Sequence, residues 1–186
     1  MDFFDRINEN PIIAAVNNLE KLEDAIHSPA EIIFMLTGDI FTIGDIVKRI
    51  QKAGKSVFLH IDLLDGFSRD AIALEYISKT VKPDGIITTK NNLVKVAMDL
   101  GLFTIQRFFI LDSLSLDKGI QSMKHNKPNA IEILPGVNAK ITRIVVKETK
   151  LPVITGGLIM DKEDVIGSLK AGAIGISTTK KDLWYE

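Results

Sequence analysis

The chain has no cysteine, six prolines, one tryptophan and no uninterrupted apolar run near the ~18 residues that a bilayer span requires. The missing cysteines exclude a disulfide scaffold, a thiolate metal site and a cysteine nucleophile. They also fit a reducing compartment, so a cytoplasmic location is expected. The opening MDFFDRINEN carries acids where a secretory signal needs a basic segment and then an apolar one. Neither that segment nor any later one reads as membrane-spanning. No charge of one sign dominates: 23 Lys and Arg stand against 24 Asp and Glu. That balance argues against binding nucleic acid through a strongly basic domain. Low-complexity tracts and Pro/Gly/Ser linkers are absent too, so residues 1–186 are expected to form one domain. What is present is a hydrophobic share of 46%, which rules out a disordered chain and supplies a sizeable core.

Short apolar runs alternate with helical patterns along the whole length. The runs are 12–16, 32–36, 56–62, 84–88, 103–111, 130–134, 151–155 and 173–177, rich in Ile, Val and Phe. Many are bounded by Gly, Pro or Asp, as strands buried on both faces usually are. Between them, 3.6-residue periodicity marks helices, for example Ile43, Ile46, Val47 and Ile50, or Ile141, Ile144 and Val145. Gly54, Gly101 and Gly172 read as helix C-caps. Eight β/α units predict an α/β fold, a compact (β/α)8 TIM-type barrel without inserted domains. An internal repeat supports closure: residues 85–90, GIITTK, return as residues 175–180, GISTTK, at the ends of the fourth and eighth predicted strands.

Functional groups in such a barrel lie at the C-terminal ends of the strands. Gly156 and Gly157 end the seventh strand, and Ser177 and Thr178 end the eighth. Backbone N–H groups at the glycines and the two hydroxyls suit a phosphate. Polar side chains also interrupt strands that are otherwise apolar: His60 and Asp62 on the third, placed on one face by a two-residue period, Lys90 after the fourth, Arg107 on the fifth and Glu132 on the sixth. Ionisable groups aimed into a barrel are costly unless paired or liganded. Together they suit a small phosphorylated polyol, held through its hydroxyls by Asp62 and Glu132 and neutralised by Lys90 or Arg107. The same set would serve a phosphosugar lyase, isomerase or transferase, with Asp62 or Glu132 as base and Lys90 as electrophile. No metal is expected, because His27 and His125 fall in helix or loop regions and no His/Asp cluster has ligand spacing.

The chain resembles the glycerol-3-phosphate-responsive antiterminators, the glycerol uptake operon antiterminator regulatory proteins of bacteria. The motifs that carry the resemblance are 10–16 (NPIIAAV), 57–63 (VFLHIDL), 84–90 (DGIITTK), 106–109 (QRFF), Asp112-Ser113, 132–136 (EILPG), 156–159 (GGLI) and 171–178 (AGAIGIST). The resemblance implies a barrel-fold regulator with no catalytic residues and no cofactor. Glycerol 3-phosphate would be its effector, and the leader mRNA of glycerol-utilisation genes its partner. By position, Gly156, Gly157, Ser177 and Thr178 would hold the phosphate. His60, Asp62, Lys90, Arg107 and Glu132 would line the polyol end. The family more often has Ala where this chain has Thr155, a residue that either adds a hydroxyl to the site or packs. Oligomeric state is not legible, and a homo-oligomer is compatible with the sequence.

Binding to RNA needs basic side chains gathered on one surface, and net charge hides their distribution. Residues 1–93 hold 10 Lys and Arg against 14 Asp and Glu, whereas residues 94–186 hold 13 against 10. Within the basic half, Lys140, Arg143, Lys147 and Lys150 are spaced to form one stripe, opposite Ile141, Ile144 and Val145 on the same predicted helix. This stripe is the candidate RNA surface. Trp184 is expected to pack against the barrel wall rather than stack on a base.

Overall fold

The computed structural model describes residues 2–186, and they form a closed barrel of eight parallel strands in sequential order. The strands are β1 (Ile12–Val16), β2 (Ile32–Met35), β3 (Ser56–His60), β4 (Gly85–Thr88), β5 (Phe103–Phe109), β6 (Ala130–Leu134), β7 (Val153–Gly156) and β8 (Gly175–Thr178). Helix α1 (Phe3–Glu9) precedes β1, and α2 (Leu22–His27), α3 (Ile43–Lys52), α4 (Ala71–Tyr76), α5 (Asn91–Asp99), α6 (Ser113–Asn126), α7 (Ala139–Thr149) and α8 (Lys162–Lys170) follow strands β1 to β7. A short 3₁₀ turn, Lys181–Tyr185, stands where an eighth outer helix would be. The (β/α)8 architecture is the one expected from the apolar runs.

Burial on both faces explains why the strands read as unbroken apolar runs. Alternate side chains point inward, including Ile13, Phe34, Phe58, Ile87, Ile105, Ala130 and Ile154, and form the barrel interior. The others, such as Ile33, Leu59, Ile86 and Ile176, pack beneath the helices. In α3 the buried residues are the periodic Ile43, Ile46, Val47 and Ile50. Side-chain caps fix several helix starts: Asp112 accepts from the Ser115 N–H, Asn138 from that of Ile141 and Asp161 from that of Asp164.

The two ends of the barrel are closed differently. Helix α1 plugs the N-terminal end, with Phe3 and Ile7 joining the interior and Phe3 stacked edge-on against Phe58. The C-terminal end carries the polar groups. Trp184 is fully buried against the outside of the wall, and its Nε1 donates to the Thr178 carbonyl at 2.8 Å. One expectation changes here. Strand β3 ends at His60, and Ile61–Leu63 is a 3₁₀ turn. Asp62 is therefore not placed by strand alternation, and it turns toward the end of β4 instead.

Candidate ligand-binding site

A cavity of about 510 Å³ opens at the C-terminal end of the barrel. Its floor is built by register. Arg107 on β5 stands directly beside Glu132 on β6, and both point inward between the apolar layer below and the loops above. The Arg107 Nε donates to Glu132 Oε2 at 2.6 Å, with both side chains almost wholly buried. The second carboxylate oxygen, Oε1, is buried and has no partner among the described residues. A buried carboxylate keeps an acceptor unpaired only at a cost, so Oε1 is an open position for a donor. Gly156 makes room for it: a Cβ at that position would lie 2.7 Å from Oε1.

The cavity walls come from the loops after β7 and β8. Gly157, Leu158, Ile159 and Met160 form one side, and Ser177, Thr178, Thr179 and Lys180 the other. Gly157 and Leu158 both take left-handed backbone, with φ of 71° and 58°. That conformation is easy for glycine and strained for leucine, a feature often found in functional loops. Two lysines complete the rim. Lys21 donates through Nζ to the Thr179 carbonyl at 3.2 Å, and Lys180 donates through Nζ to the Met160 carbonyl. Each ammonium retains further donors. With Arg107, they give three cationic groups against the single carboxylate of Glu132, an arrangement that favours an anionic ligand.

Of the sequence-selected residues, Arg107, Glu132, Gly157, Ser177 and Thr178 line this cavity. Gly156 lies beneath it as the residue that admits the Glu132 carboxylate. His60, Asp62 and Lys90 are not on its surface. His60 is buried at the end of β3, and its Nδ1 has no partner among the described residues. Burial, and then the nearby Arg107 guanidinium, push its pKa down to about 4 against the opposing pull of Asp62, so the ring is neutral at pH 7. Asp62 accepts from the Thr88 hydroxyl at 2.9 Å, and from the Thr89 N–H and the Thr89 hydroxyl at 2.7 Å each. Burial raises its pKa, but those bonds and His60 outweigh it and hold the group ionised below the usual carboxylate range. Lys90 is exposed at the start of α5. Lys21, Thr179 and Lys180 line the cavity as well. Lys180 had a signal in the repeated TTK, whereas Lys21, in a 3₁₀ turn after β1, had none.

Of the expected stripe, Lys140, Arg143 and Lys147 lie on α7, whereas Lys150 is its left-handed C-cap and falls outside the helical spacing. Lys140, Arg143, Lys147 and Lys150 are all exposed, while Thr142 and Val145 are buried. Among the described residues none of the four has an ion-pair partner, and the nearby Lys124 is held by Glu148 at 3.1 Å. No group of three or more His, Asp or Glu side chains suited to a metal ion occurs among the described residues.

Fold and cavity together define a compact single-domain (β/α)8 barrel with an anion-suited pocket at the ends of its last two strands. The sequence model of the glycerol-3-phosphate responsive antiterminator family matches residues 12–184, and the chain belongs to that family. It is 39% identical over 178 residues to the Escherichia coli K12 protein YgcP, described as uncharacterized, covering 96% of this chain and 93% of that one. The crystal structure of a glycerol uptake operon antiterminator regulatory protein from Listeria monocytogenes superimposes with a TM-score of 0.91 at 33% identity, over 94% of this chain and 95% of that one. A glycerol uptake operon antiterminator-related protein from Thermotoga maritima gives 0.83 at 30% identity, over 93% and 96%.

Proposed function

We propose that this protein binds glycerol 3-phosphate in the cavity and, in that state, binds leader RNA and prevents transcription termination upstream of glycerol-utilisation genes. The observation that carries the ligand assignment is the unpartnered Glu132 Oε1, buried at the floor of a cavity whose rim is cationic. A polyol hydroxyl would donate to that oxygen. The phosphate would then lie at the other end, among Gly157, Ser177, Thr178, Lys21 and Lys180. Neither end alone selects glycerol 3-phosphate. Glycerol lacks the anion and inorganic phosphate lacks the hydroxyls, so both should bind more weakly.

Coupling to RNA requires the ligand to bind one state of the protein better than another. The strained Leu158 loop is the element on which that preference would act, because it lies between β7 and the ligand's phosphate. The exposed stripe of α7 would supply the RNA contacts. The test is an electrophoretic mobility assay with leader RNA, without ligand and with saturating glycerol 3-phosphate or glycerol. RNA should shift with glycerol 3-phosphate and not with glycerol. An RNA affinity that is the same in all three conditions would overturn the coupling, and turnover of glycerol 3-phosphate by the pure protein would overturn the non-enzymatic role.

A further inference from the structure

The repeat GIITTK/GISTTK is a repeat of structure as well as of sequence. In both copies the first threonine is buried, the second is half-buried and the lysine is exposed. The lysine N–H donates to the first threonine's hydroxyl at 3.1 Å in each copy, Lys90 to Thr88 and Lys180 to Thr178. Backbone angles agree as well: φ −91° and ψ 112° at Lys90, φ −84° and ψ 107° at Lys180. The correspondence runs on to the next leucine, whose N–H donates to the lysine carbonyl at 3.0 Å for Leu93 and 3.1 Å for Leu183.

The copies differ in what their threonines hold. At β4 the Thr88 hydroxyl, the Thr89 N–H and the Thr89 hydroxyl converge on one anion, the Asp62 carboxylate. At β8 the Thr179 N–H and hydroxyl have no partner among the described residues, and the Thr178 hydroxyl, which accepts from Lys180, donates only in a long 3.5 Å contact to the Ile159 carbonyl. No carboxylate follows β7 at the corresponding place, where the chain runs Gly156-Gly157-Leu158. The third residue of the repeat also changes. Ile87 fills the interior at β4, whereas Ser177 at β8 leaves the cavity open. The open copy adjoins the unpartnered Glu132 Oε1, an independent sign that a ligand belongs there.

We infer that the end of β4 is a self-filled copy of the anion site at the end of β8. Asp62 stands at β4 where the ligand's phosphate stands at β8, and the phosphate accepts from the Thr178 hydroxyl, the Thr179 N–H and the Thr179 hydroxyl. Thr179 is thus a phosphate-binding residue and Asp62 an internal counterpart of the ligand. This rests on the proposal that the ligand is a phosphomonoester.

Calorimetric titration of glycerol 3-phosphate into the unaltered chain and four variants tests it. Replacing Thr179 by Val removes one charge-assisted hydrogen bond and should weaken binding roughly 10- to 100-fold. Thr179→Ser, which keeps the hydroxyl, should restore most of the affinity. The mirror change Thr89→Ser and the change Asp62→Asn should leave affinity within about twofold of the unaltered chain, since neither touches the ligand. Affinity unchanged in Thr179→Val, or lost to the same extent in Asp62→Asn, would overturn the inference while leaving the ligand assignment intact. No binding by the unaltered chain would instead overturn the ligand assignment, and the inference with it.

Discussion

Arg107 and Glu132 are the residues on which the site's architecture turns. Each is a buried charge that the other makes tolerable, and the pair holds one carboxylate oxygen in reserve. Replacing Arg107 by Met leaves the Glu132 carboxyl group without its partner in the barrel interior. Loss of about 3–5 kcal/mol in urea unfolding is expected, and the double change Arg107→Met with Glu132→Leu should recover much of it. His60 produces a separate effect through pH. Its folded pKa of about 4 lies below the 6.5 of an unperturbed histidine, so the unfolded chain binds the extra proton first. Stability contributed by the neutral ring is complete above pH 6.5 and is lost as pH falls toward 4. Between pH 7 and pH 5 the loss should reach roughly 2 kcal/mol. Urea unfolding at the two pH values measures it, and His60→Asn should flatten the difference. Asp62 does not confuse that window, because its depressed pKa defers its own loss to lower pH.

At the scale of elements, the barrel divides its work between strand ends and one outer helix. The C-terminal ends of β5, β6 and β8 and the β7 loop make the cavity. Helix α7 presents its cationic stripe to solvent, with Asn138 capping its start and Thr142 and Val145 buried against the wall. Because the stripe and the cavity share no residue, they can be altered independently. Changing Lys140, Arg143 and Lys147 together to Gln should weaken leader-RNA binding and reduce the slope of log K against log salt by about 2. The affinity for glycerol 3-phosphate, measured by calorimetry, should stay the same. An RNA affinity and salt slope equal to those of the unaltered protein would place the RNA contacts elsewhere.

For the whole molecule, the fold was legible because a double-wrapped parallel strand leaves a physical trace, an unbroken apolar run closed by a glycine or proline. The interior polar residues were legible for the same reason: Arg107 and Glu132 stand out only against such runs. Loop geometry leaves no comparable period. Asp62, in the turn after β3, and Lys21, in the turn that reaches the cavity rim, therefore carry no periodic signal in the sequence. The near-zero net charge is blind in a related way, since it records a total and not the face on which charges such as those of α7 are placed. Function brings these scales together in one measurable quantity. A ligand that binds only the folded barrel stabilises it by about 2.7 kcal/mol at a free concentration of 100 Kd. For a chain of this size that corresponds to a rise in Tm of about 5–10 °C. Glycerol 3-phosphate should produce this rise, because it engages Glu132 and the β8 end together. Glycerol at the same concentration should produce almost none. Differential scanning fluorimetry distinguishes the cases, and an equal shift with glycerol would mean that the cationic rim contributes nothing to recognition.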